Sequence, residues 1–303
     1  MRIVLAGATG FLGRPLTTRL VAEGHAVTRL TRRPAAGSPV HQVEWQPDGT
    51  AGVWAGVVDG ADAVVNLAGA PLAPRRWTTA RKRVLVESRV LSNRSLVAAI
   101  GAAKTRPRIL ISASGAGYYG PCGAQTITEE SPPGDDFLGR LVVEWEAAAN
   151  EARTLGTRVV TLRTALVLGE GGGALAPMLP PFRLGLGGPF GDGQQYWPWI
   201  HIDDWLALVE FALAQPSVDG PVNLTAPEPV TNEEFSRTLA RVLHRPCLFR
   251  VPAFVLRLAM GELADGLLLS GQRAIPARAQ ALGFRFRYET AEAALRQVLG
   301  APR

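Results

Sequence analysis

The first strand of this chain runs directly into a glycine-rich turn and then a helix, and this junction limits the fold more than any other feature. Arg2–Ala6 is a short apolar run typical of a buried parallel strand, and Leu12–Glu23 has helical periodicity. Strands and helices then alternate as far as Gly169. The later predicted elements are strands 25–31, 63–67, 108–112 and 158–168 and helices 81–103 and 136–155. This pattern predicts an α/β fold, a doubly wound parallel sheet of the Rossmann type.

After Gly169 the alternation gives way to a more helical pattern. Residues 169–193 are apolar and rich in glycine and proline, which indicates a loop with a short helix. The later predicted elements are a strand and helix entry at 197–204, helix 205–214, strand 222–225 and helix 231–243. We therefore predict a Rossmann domain made of residues 1–170 plus about 197–225. Residues 171–196 and 226–303 form the predicted smaller, mostly helical C-terminal domain, which would bind the substrate.

The glycines of the first turn follow the spacing G-x-x-G-x-x-G. Glycine at position 7 permits the sharp turn, glycine at 10 lets a ligand approach the backbone, and glycine at 13 lets the helix pack on the strand. The helix N-terminus offers free N–H groups and the positive end of its dipole to a phosphate. We predict a dinucleotide site here, the alternative being a tight turn with no ligand. Its predicted contact residues are Gly7, Thr9, Gly10, Phe11, Leu12 and Gly13.

The end of the second predicted strand indicates which dinucleotide is bound. Sites that prefer NAD usually place Asp or Glu there to hold the ribose hydroxyls. This chain has Thr31-Arg32-Arg33 instead, and a guanidinium can bind a 2′-phosphate through two hydrogen bonds. We therefore predict NADP(H) as the cofactor. The alternative is that both arginines simply face solvent.

The net charge of +6 could indicate a nucleic-acid partner, but the arginines are not arranged for one. Only Lys82 and Lys104 are lysines, so 32 − 2 = 30 of the cationic side chains are arginines, a bias that affects the whole chain. The densest basic run, 75–89, is interrupted by apolar residues at helical spacing and is typical of the wet face of an amphipathic helix. We expect no nucleic-acid partner.

Metal sites, disulfides and membrane spans are not expected from this composition. The chain has two cysteines, Cys122 and Cys247, and four histidines, none in metal-ligand spacing. It has no apolar stretch of about 18 residues, the length of a membrane-spanning helix. The opening residues form a strand rather than the apolar region of a signal peptide. We expect a cytoplasmic protein with no membrane partner.

Several motifs together resemble the extended short-chain dehydrogenase/reductase superfamily. More narrowly, the chain resembles an epimerase-like subgroup that ends in a C-terminal domain of unknown function. The motifs are Gly7–Gly13, Asn66-Leu67-Ala68-Gly69, Ser112-Ala113-Ser114 before Tyr118-Tyr119-Gly120, 163–169 and 199–204. The resemblance implies an NADP-dependent epimerase or oxidoreductase. It also implies that Leu67, Ala68, Gly69 and Ser112 line the cofactor, and that Arg163 pairs with either a ligand phosphate or a structural carboxylate.

The superfamily's usual Tyr-x-x-x-Lys pair is missing from this chain. The residues four positions after its tyrosines are Cys122, Gly123, Ile200 and Glu292. The expected place of the pair holds Phe137 and Leu141, which cannot move or tune a proton. The candidate replacements are Tyr118, Tyr119 and Ser114, with Ser112 as a further hydroxyl donor. The alternative is that a tyrosine packs in the core and the serines only end the strand.

Two further segments allow two interpretations each. His201, Asp203 and Asp204 could line a cleft between the domains, but Asp203 or Asp204 is better explained as the cap of a helix that begins at Trp205. Residues 169–193 could form an apolar lid over the cofactor or a contact within a homodimer.

The residues allow two main function classes. One is an NADP(H)-dependent epimerase or oxidoreductase that acts on an unidentified small-molecule substrate without the usual pair. The other is a sensor or scaffold that binds NADP(H) but catalyses little. A purely structural protein that binds no dinucleotide is a third alternative.

Overall fold

The computed structural model describes residues 1–73 and 75–300. Its strands are β1 Arg2–Ala6, β2 Ala26–Thr31, β3 His41–Glu44, β4 Ala63–Asn66, β5 Ile109–Gly115, β6 Thr126–Ile127, β7 Arg158–Thr164, β8 Leu166–Leu168, β9 Tyr196–Trp197, β10 Trp199–His201, β11 Gly220–Leu224, β12 Val230–Thr231 and β13 Arg273–Ala274. Its α-helices are α1 Gly13–Ala22, α2 Thr79–Ala102, α3 Phe137–Asn150, α4 Leu175–Arg183, α5 Ile202–Ala214, α6 Asn232–Val242, α7 Ala253–Met260, α8 Glu262–Leu267, α9 Ala277–Ala281 and α10 Ala291–Val298. Short 3₁₀ helices cover Val53–Val58, Ala116–Tyr119 and Glu151–Leu155.

A parallel sheet lies at the centre of the fold. Among the described residues it has seven strands in the order β11-β7-β5-β4-β1-β2-β3. The chain moves outward from β1 in both directions, so the strand order reverses between β1 and β4. This confirms the predicted doubly wound sheet. In such sheets ligands bind beyond the carboxyl ends of the strands at the reversal point, which here lies beside the Gly7 turn.

Apolar side chains point alternately to the two faces of the sheet, and helices cover both faces. Ile3 and Leu5 face one side, where they pack in one core with α1 and α5. Val4 and Ala6 face the other side, where their core includes residues of α2 and α3. Because both faces are covered, the central strands β1 and β4 are almost wholly apolar, as expected for a parallel sheet.

The C-terminal part is mostly helical, as predicted. A third core contains Trp199, Phe235, Leu239 and Leu295 and joins α6 and α10 to the short strands. Small two-stranded sheets pair β10 with β8, β12 with β9 and β13 with β6. In the parts of the chain that the structure describes, no helix combines the length and apolar character needed to cross a membrane.

Three differences from the sequence prediction concern the central sheet and helix α5. The predicted strand 158–168 divides at Ala165, because the Leu166 N–H donates to the Pro198 carbonyl and β8 pairs with β10 outside the central sheet. Strand β3 was not predicted, because only Val43 in it is a β-former and it lies at the sheet edge. Helix α5 begins at Ile202 rather than Trp205.

Candidate functional site

The glycines of the first turn each meet a different constraint. Gly7 has φ +78°, and a Cβ on it would lie 2.5 Å from the Leu67 carbonyl carbon. A Cβ on Gly13 would lie 2.2 Å from the Gly7 carbonyl oxygen, because α1 packs directly against the turn. These two positions therefore need glycine for the fold itself.

Gly10 differs from the other two glycines, because the fold leaves space beside it. The nearest atom to a Cβ there is the Gly7 carbonyl oxygen at 3.5 Å, an ordinary contact, and both Thr9 and Gly10 are exposed. No side chain caps the N-terminus of α1 at Leu12, and its first turn holds no acidic residue. The turn thus presents open backbone and the positive end of a helix dipole, the chemistry that receives a phosphate.

Arg32 and Arg33 lie at the carboxyl end of β2, and both are exposed. Within residues 1–73 and 75–300, neither guanidinium has an ion pair or side-chain hydrogen bond. The Thr31 hydroxyl contacts only the backbone of Arg33, accepting from its N–H and donating to its carbonyl oxygen, both at 3.4 Å. Two unpaired guanidiniums beside the open Gly7–Gly13 turn have the charge and geometry to bind a phosphate group.

A second glycine-rich segment packs against the Gly7–Gly13 turn through Phe11. Ideal Cβ atoms on Gly169, Gly172 and Gly173 would lie 3.0, 2.3 and 3.0 Å from atoms of the Phe11 ring. A side chain at these positions would push the ring away. The start of the predicted lid therefore lies against the turn, while Leu184 and Leu186 further along it are exposed.

The loop after β4 is held by a buried amide network. The Asn66 side chain donates to Asn93 at 2.6 Å and accepts from the Ala68 N–H at 3.0 Å. Asn93 in turn donates to the Ser112 hydroxyl at 3.0 Å. Leu67 and Ala68 thereby lie against Gly7. Ser112 is fully buried in this network. The predicted direct contact between its hydroxyl and a cofactor therefore has no support in the structure.

Arg163 belongs to a second buried network. It makes two 2.9 Å hydrogen bonds to the Glu146 carboxylate and donates to the Tyr119 hydroxyl at 3.0 Å. Ser114 donates to the same carboxylate at 2.6 Å, and Tyr119 donates to Asn223 at 2.6 Å. Of the two alternatives for Arg163, the structure therefore shows the structural carboxylate. The predicted phosphate contact is not supported, because the guanidinium is already paired and only 3% exposed.

The two adjacent tyrosines differ in their hydrogen bonding, and therefore in the roles open to them. Burial raises the pKa of Tyr119 to about 12, against the opposing effect of Arg163, so this hydroxyl stays protonated at neutral pH. Tyr118 is half-buried, its ring lies over the Arg163 guanidinium at 3.4 Å, and among the described residues its hydroxyl has no hydrogen-bond partner. Of the predicted catalytic hydroxyls, that of Tyr118 is the one left free for a ligand.

The positions of the missing tyrosine and lysine are packed with apolar side chains. Phe137 stacks edge-on against Trp77 with ring centroids 5.1 Å apart, and Leu141 is 2% exposed. Within the described part of the chain, no cluster of His, Cys, Asp or Glu could hold a metal ion.

His201, rather than Asp203 or Asp204, caps helix α5. Its Nδ1 accepts the Asp203 N–H at 3.0 Å, and its Nε2 lies 2.7 Å from the side-chain oxygen Oε1 of Gln297. The predicted cap was wrong because the helix begins three residues earlier, at Ile202. Asp204 instead accepts the backbone N–H groups of Arg287 and Tyr288. His201 is fully buried and structural.

The cap of α5 predicts a pH dependence of stability. Nδ1 can accept only while the ring is neutral, and burial holds the pKa of His201 below its usual value. The unfolded chain takes up this proton as the pH falls through about 6.5, whereas the folded chain resists it. We expect about 1 kcal/mol of stability, the typical value of an N-cap, to be lost between neutral and mildly acidic pH. Denaturant titrations at several pH values measure the free energy of unfolding. This free energy should depend less steeply on pH in His201→Asn than in the wild type, and an equal pH dependence would contradict the assignment.

Sequence reasoning missed the buried partners Asn93, Glu146 and Asn223, and also Arg89. Periodicity could have identified the last of these. Arg89 lies in the row of buried residues on α2 between Leu85 and Leu96, where an unpaired cation is out of place. Glu146 gives the same signal, because it lies in the buried row of α3 between Val142 and Ala149. Asn223 gives none, because its partners are distant along the chain.

The fold and the turn define a dinucleotide-binding α/β protein, and comparison with known proteins identifies its family. Residues 3–224 match the model of the NAD dependent epimerase/dehydratase family, and residues 251–298 match a domain of unknown function (DUF1731). The chain therefore belongs to the NAD-dependent epimerase/dehydratase family, with the second domain at its C-terminal end.

Known relatives share nearly the whole chain. "Epimerase family protein MT2273" of Mycobacterium tuberculosis is 42% identical over 293 residues, covering 97% of this chain and 96% of that protein. The Arabidopsis thaliana "Epimerase family protein SDR39U1 homolog, chloroplastic" is 40% identical over 304 residues, covering 99% and 87%. A crystal structure of human epimerase family protein SDR39U1 (isoform 2) with NADPH has a TM-score of 0.89 at 37% identity and covers 99% of both chains.

Proposed function

We propose that this protein binds NADP(H) and acts as an oxidoreductase or epimerase on a small-molecule substrate. NADP(H) is chosen because the guanidiniums of Arg32 and Arg33 are exposed, have no partner among the described residues, and lie beside the open backbone at Gly10. A 2′-phosphate is the one group by which NADP(H) differs from NAD(H), and arginine binds it well. The NADPH named in the human structure supports this choice.

Each part of this site has a role in the proposal. The backbone of Gly7–Gly13 and the N-terminus of α1 hold the pyrophosphate. Leu67–Gly69 line the adenine and ribose side, and Gly169–Gly173 on Phe11 exclude water from the turn. NADP(H) supplies hydride transfer when bound. The free hydroxyl of Tyr118 is the group that exchanges a proton with the substrate.

We expect replacement of Arg32 and Arg33 by alanine to weaken NADPH binding roughly 10- to 100-fold and to leave NADH binding unchanged. A hydrogen bond to a charged group contributes about 1.5–3 kcal/mol, and the 2′-phosphate is absent from NADH. Calorimetric titration of both dinucleotides measures the difference. Arg285→Ala is the matched control, because Arg285 is also exposed and has no side-chain partner within residues 1–73 and 75–300. Equal losses for NADPH and NADH would place the arginines outside the 2′-phosphate site.

A second candidate function is an NADP(H)-binding sensor or scaffold. It is favoured by the engagement of Tyr119 and Ser114 in buried hydrogen bonds and by Phe137 and Leu141 at the positions of the usual pair. Incubating the NADPH-loaded protein with a metabolite mixture and following nicotinamide absorbance distinguishes the two. Consumption of NADPH supports the enzyme, whereas ligand-dependent stabilisation without consumption supports the sensor.

We infer that residues 171–196 and 226–303 form the substrate-binding part, and that a homodimer uses the exposed Leu184 and Leu186. Cytoplasmic location remains a prediction, since the Arabidopsis relative is named as a chloroplastic protein. Size measurement by light scattering tests the dimer.

A further inference from the structure

A buried arginine on helix α2 has no carboxylate partner. Arg89 is 7% exposed, and Nη1 donates to the Leu85 carbonyl at 2.9 Å, within its own helix. Within residues 1–73 and 75–300, its side chain has no other hydrogen-bond acceptor and no ion pair, and Nε is buried without a partner. A buried guanidinium is costly unless a negative charge or several acceptors compensate it.

Arg163 shows how the same fold compensates a buried arginine. Arg163 is 3% exposed, and Glu146 binds it through two oxygens. Arg89 is comparably buried and has no such partner among the described residues. The difference indicates that the counter-charge of Arg89 comes from outside the protein.

The surroundings of Arg89 place it at the ligand side of the sheet. A Cβ on the exposed Gly69 would lie 3.3 Å from Arg89 Cζ, so the guanidinium lies against the loop that follows β4. The same loop contacts Gly7 through Leu67 and Ala68, so Arg89 is next to the dinucleotide turn rather than in a remote core. On its other side Arg89 lies over Trp145 at 5.0 Å, and the indole N–H of Trp145 is also buried without an acceptor.

A second arginine of α2 adds positive charge at this loop. Arg81 donates to the Pro71 carbonyl, and its Nε is buried without a partner. Burial and the charge of Arg81 lower the pKa of Arg89 to about 10, which still leaves it protonated at neutral pH. The Ser88 hydroxyl accepts the Ala70 N–H at 3.0 Å and fixes the loop on the helix. Unpaired N–H donors and two positive charges thus meet along residues 69–71.

We propose that Arg89, supported by Arg81, binds an oxyanion, a carboxylate or phosphate group that enters beside Gly69. This site deepens the proposed function, on which it rests, because the oxyanion belongs to a ligand of the same cleft. Its source is either the substrate or a phosphate of the cofactor. The guanidinium of Arg89 lies over the ring of Trp145. Trp145 follows Leu141 by one turn of α3, and Leu141 stands where the superfamily has lysine, so Arg89 supplies positive charge near that position.

Inorganic phosphate is the probe that tests this site. The melting temperature is measured with phosphate and with chloride at equal ionic strength, each with and without saturating NADPH. The variants are Arg89→Met, which fills the space without charge, and Arg89→Lys, which keeps the charge. Arg94→Met is the control, because Arg94 lies on the same helix but is half-exposed at the outer surface. NADPH affinity is measured for each protein in the same buffers.

We expect phosphate to raise the melting temperature of the wild type and of Arg94→Met by similar amounts. It should raise that of Arg89→Met by clearly less, because only the Gly7–Gly13 turn and the arginines after β2 remain to bind it, and Arg89→Lys should show an intermediate effect. Without ligand, Arg89→Met should melt at or above the wild-type temperature, since it removes an uncompensated charge. A phosphate effect that persists with NADPH assigns the oxyanion to the substrate. An effect that NADPH abolishes, with NADPH affinity at least about tenfold weaker in Arg89→Met, assigns it to the cofactor.

Two results would overturn the oxyanion site. One is a phosphate effect that is absent or independent of residue 89 in both conditions. The other is a large fall in the melting temperature of unliganded Arg89→Met, which would make Arg89 a purely structural residue. Wild-type NADPH binding is measured in the same experiment, so either result would leave the proposed function standing, and failure of that binding would be visible separately.

Discussion

Gly10→Val should weaken NADPH binding by at least about 100-fold while the unliganded protein melts near the wild-type temperature. A Cβ at residue 10 would meet nothing closer than the Gly7 carbonyl oxygen at 3.5 Å, and the position is exposed, so the fold has room for a side chain there. The same side chain would occupy the open space where the pyrophosphate approaches the backbone. Calorimetric titration gives the affinity, and thermal melting gives the stability.

Gly13→Val and Gly56→Val are the matched variants for this test. Gly13→Val should instead destabilise the fold by several kcal/mol, because its Cβ would lie 2.2 Å from the Gly7 carbonyl oxygen and 2.6 Å from Ala8 Cα. Gly56 is exposed with nothing within 4 Å, so Gly56→Val should change neither quantity by much. Wild-type NADPH affinity in Gly10→Val would mean that the dinucleotide does not contact the turn at residue 10.

The separate roles of these glycines follow from the sequence because they are local. A strand, a turn and a helix that are adjacent in the chain must meet, so their spacing alone predicts which glycine packs and which stays open. The parallel order of the strands is similarly constrained, since each helix returns the chain to the same end of the sheet. The break at Ala165 is not local. It depends on Pro198 and Leu224, whose carbonyl groups redirect the backbone there.

Buried arginines show why the site itself is harder to predict. Arg89 and Arg163 are the same residue type at similar burial, yet Glu146 pairs with one and no described carboxylate pairs with the other. The partner of Arg163 is 17 residues away along the chain. The partner of Arg89 is, by our proposal, a ligand. Local sequence patterns carry no information about such pairings, because these are fixed only when distant strands and helices pack together.

The neighbouring tyrosines illustrate the same limit, and their substitution should give opposite results. We expect Tyr118→Phe to slow hydride transfer roughly 10²- to 10⁴-fold, the usual contribution of a positioned proton donor or acceptor. Its stability should change little, because the Tyr118 hydroxyl has no partner among the described residues and phenylalanine keeps the ring over the Arg163 guanidinium. Single-turnover oxidation of bound NADPH by an active substrate measures the rate.

Tyr119→Phe is the control, and it should change stability rather than rate. The Tyr119 hydroxyl joins Arg163 to Asn223, so its removal leaves buried polar groups without a partner and costs about 1–3 kcal/mol. Its pKa of about 12 also makes it a poor base at neutral pH. A wild-type rate in Tyr118→Phe would remove the remaining candidate hydroxyl for proton transfer. The sensor would then become the better explanation of a cofactor cleft that lacks the tyrosine–lysine pair.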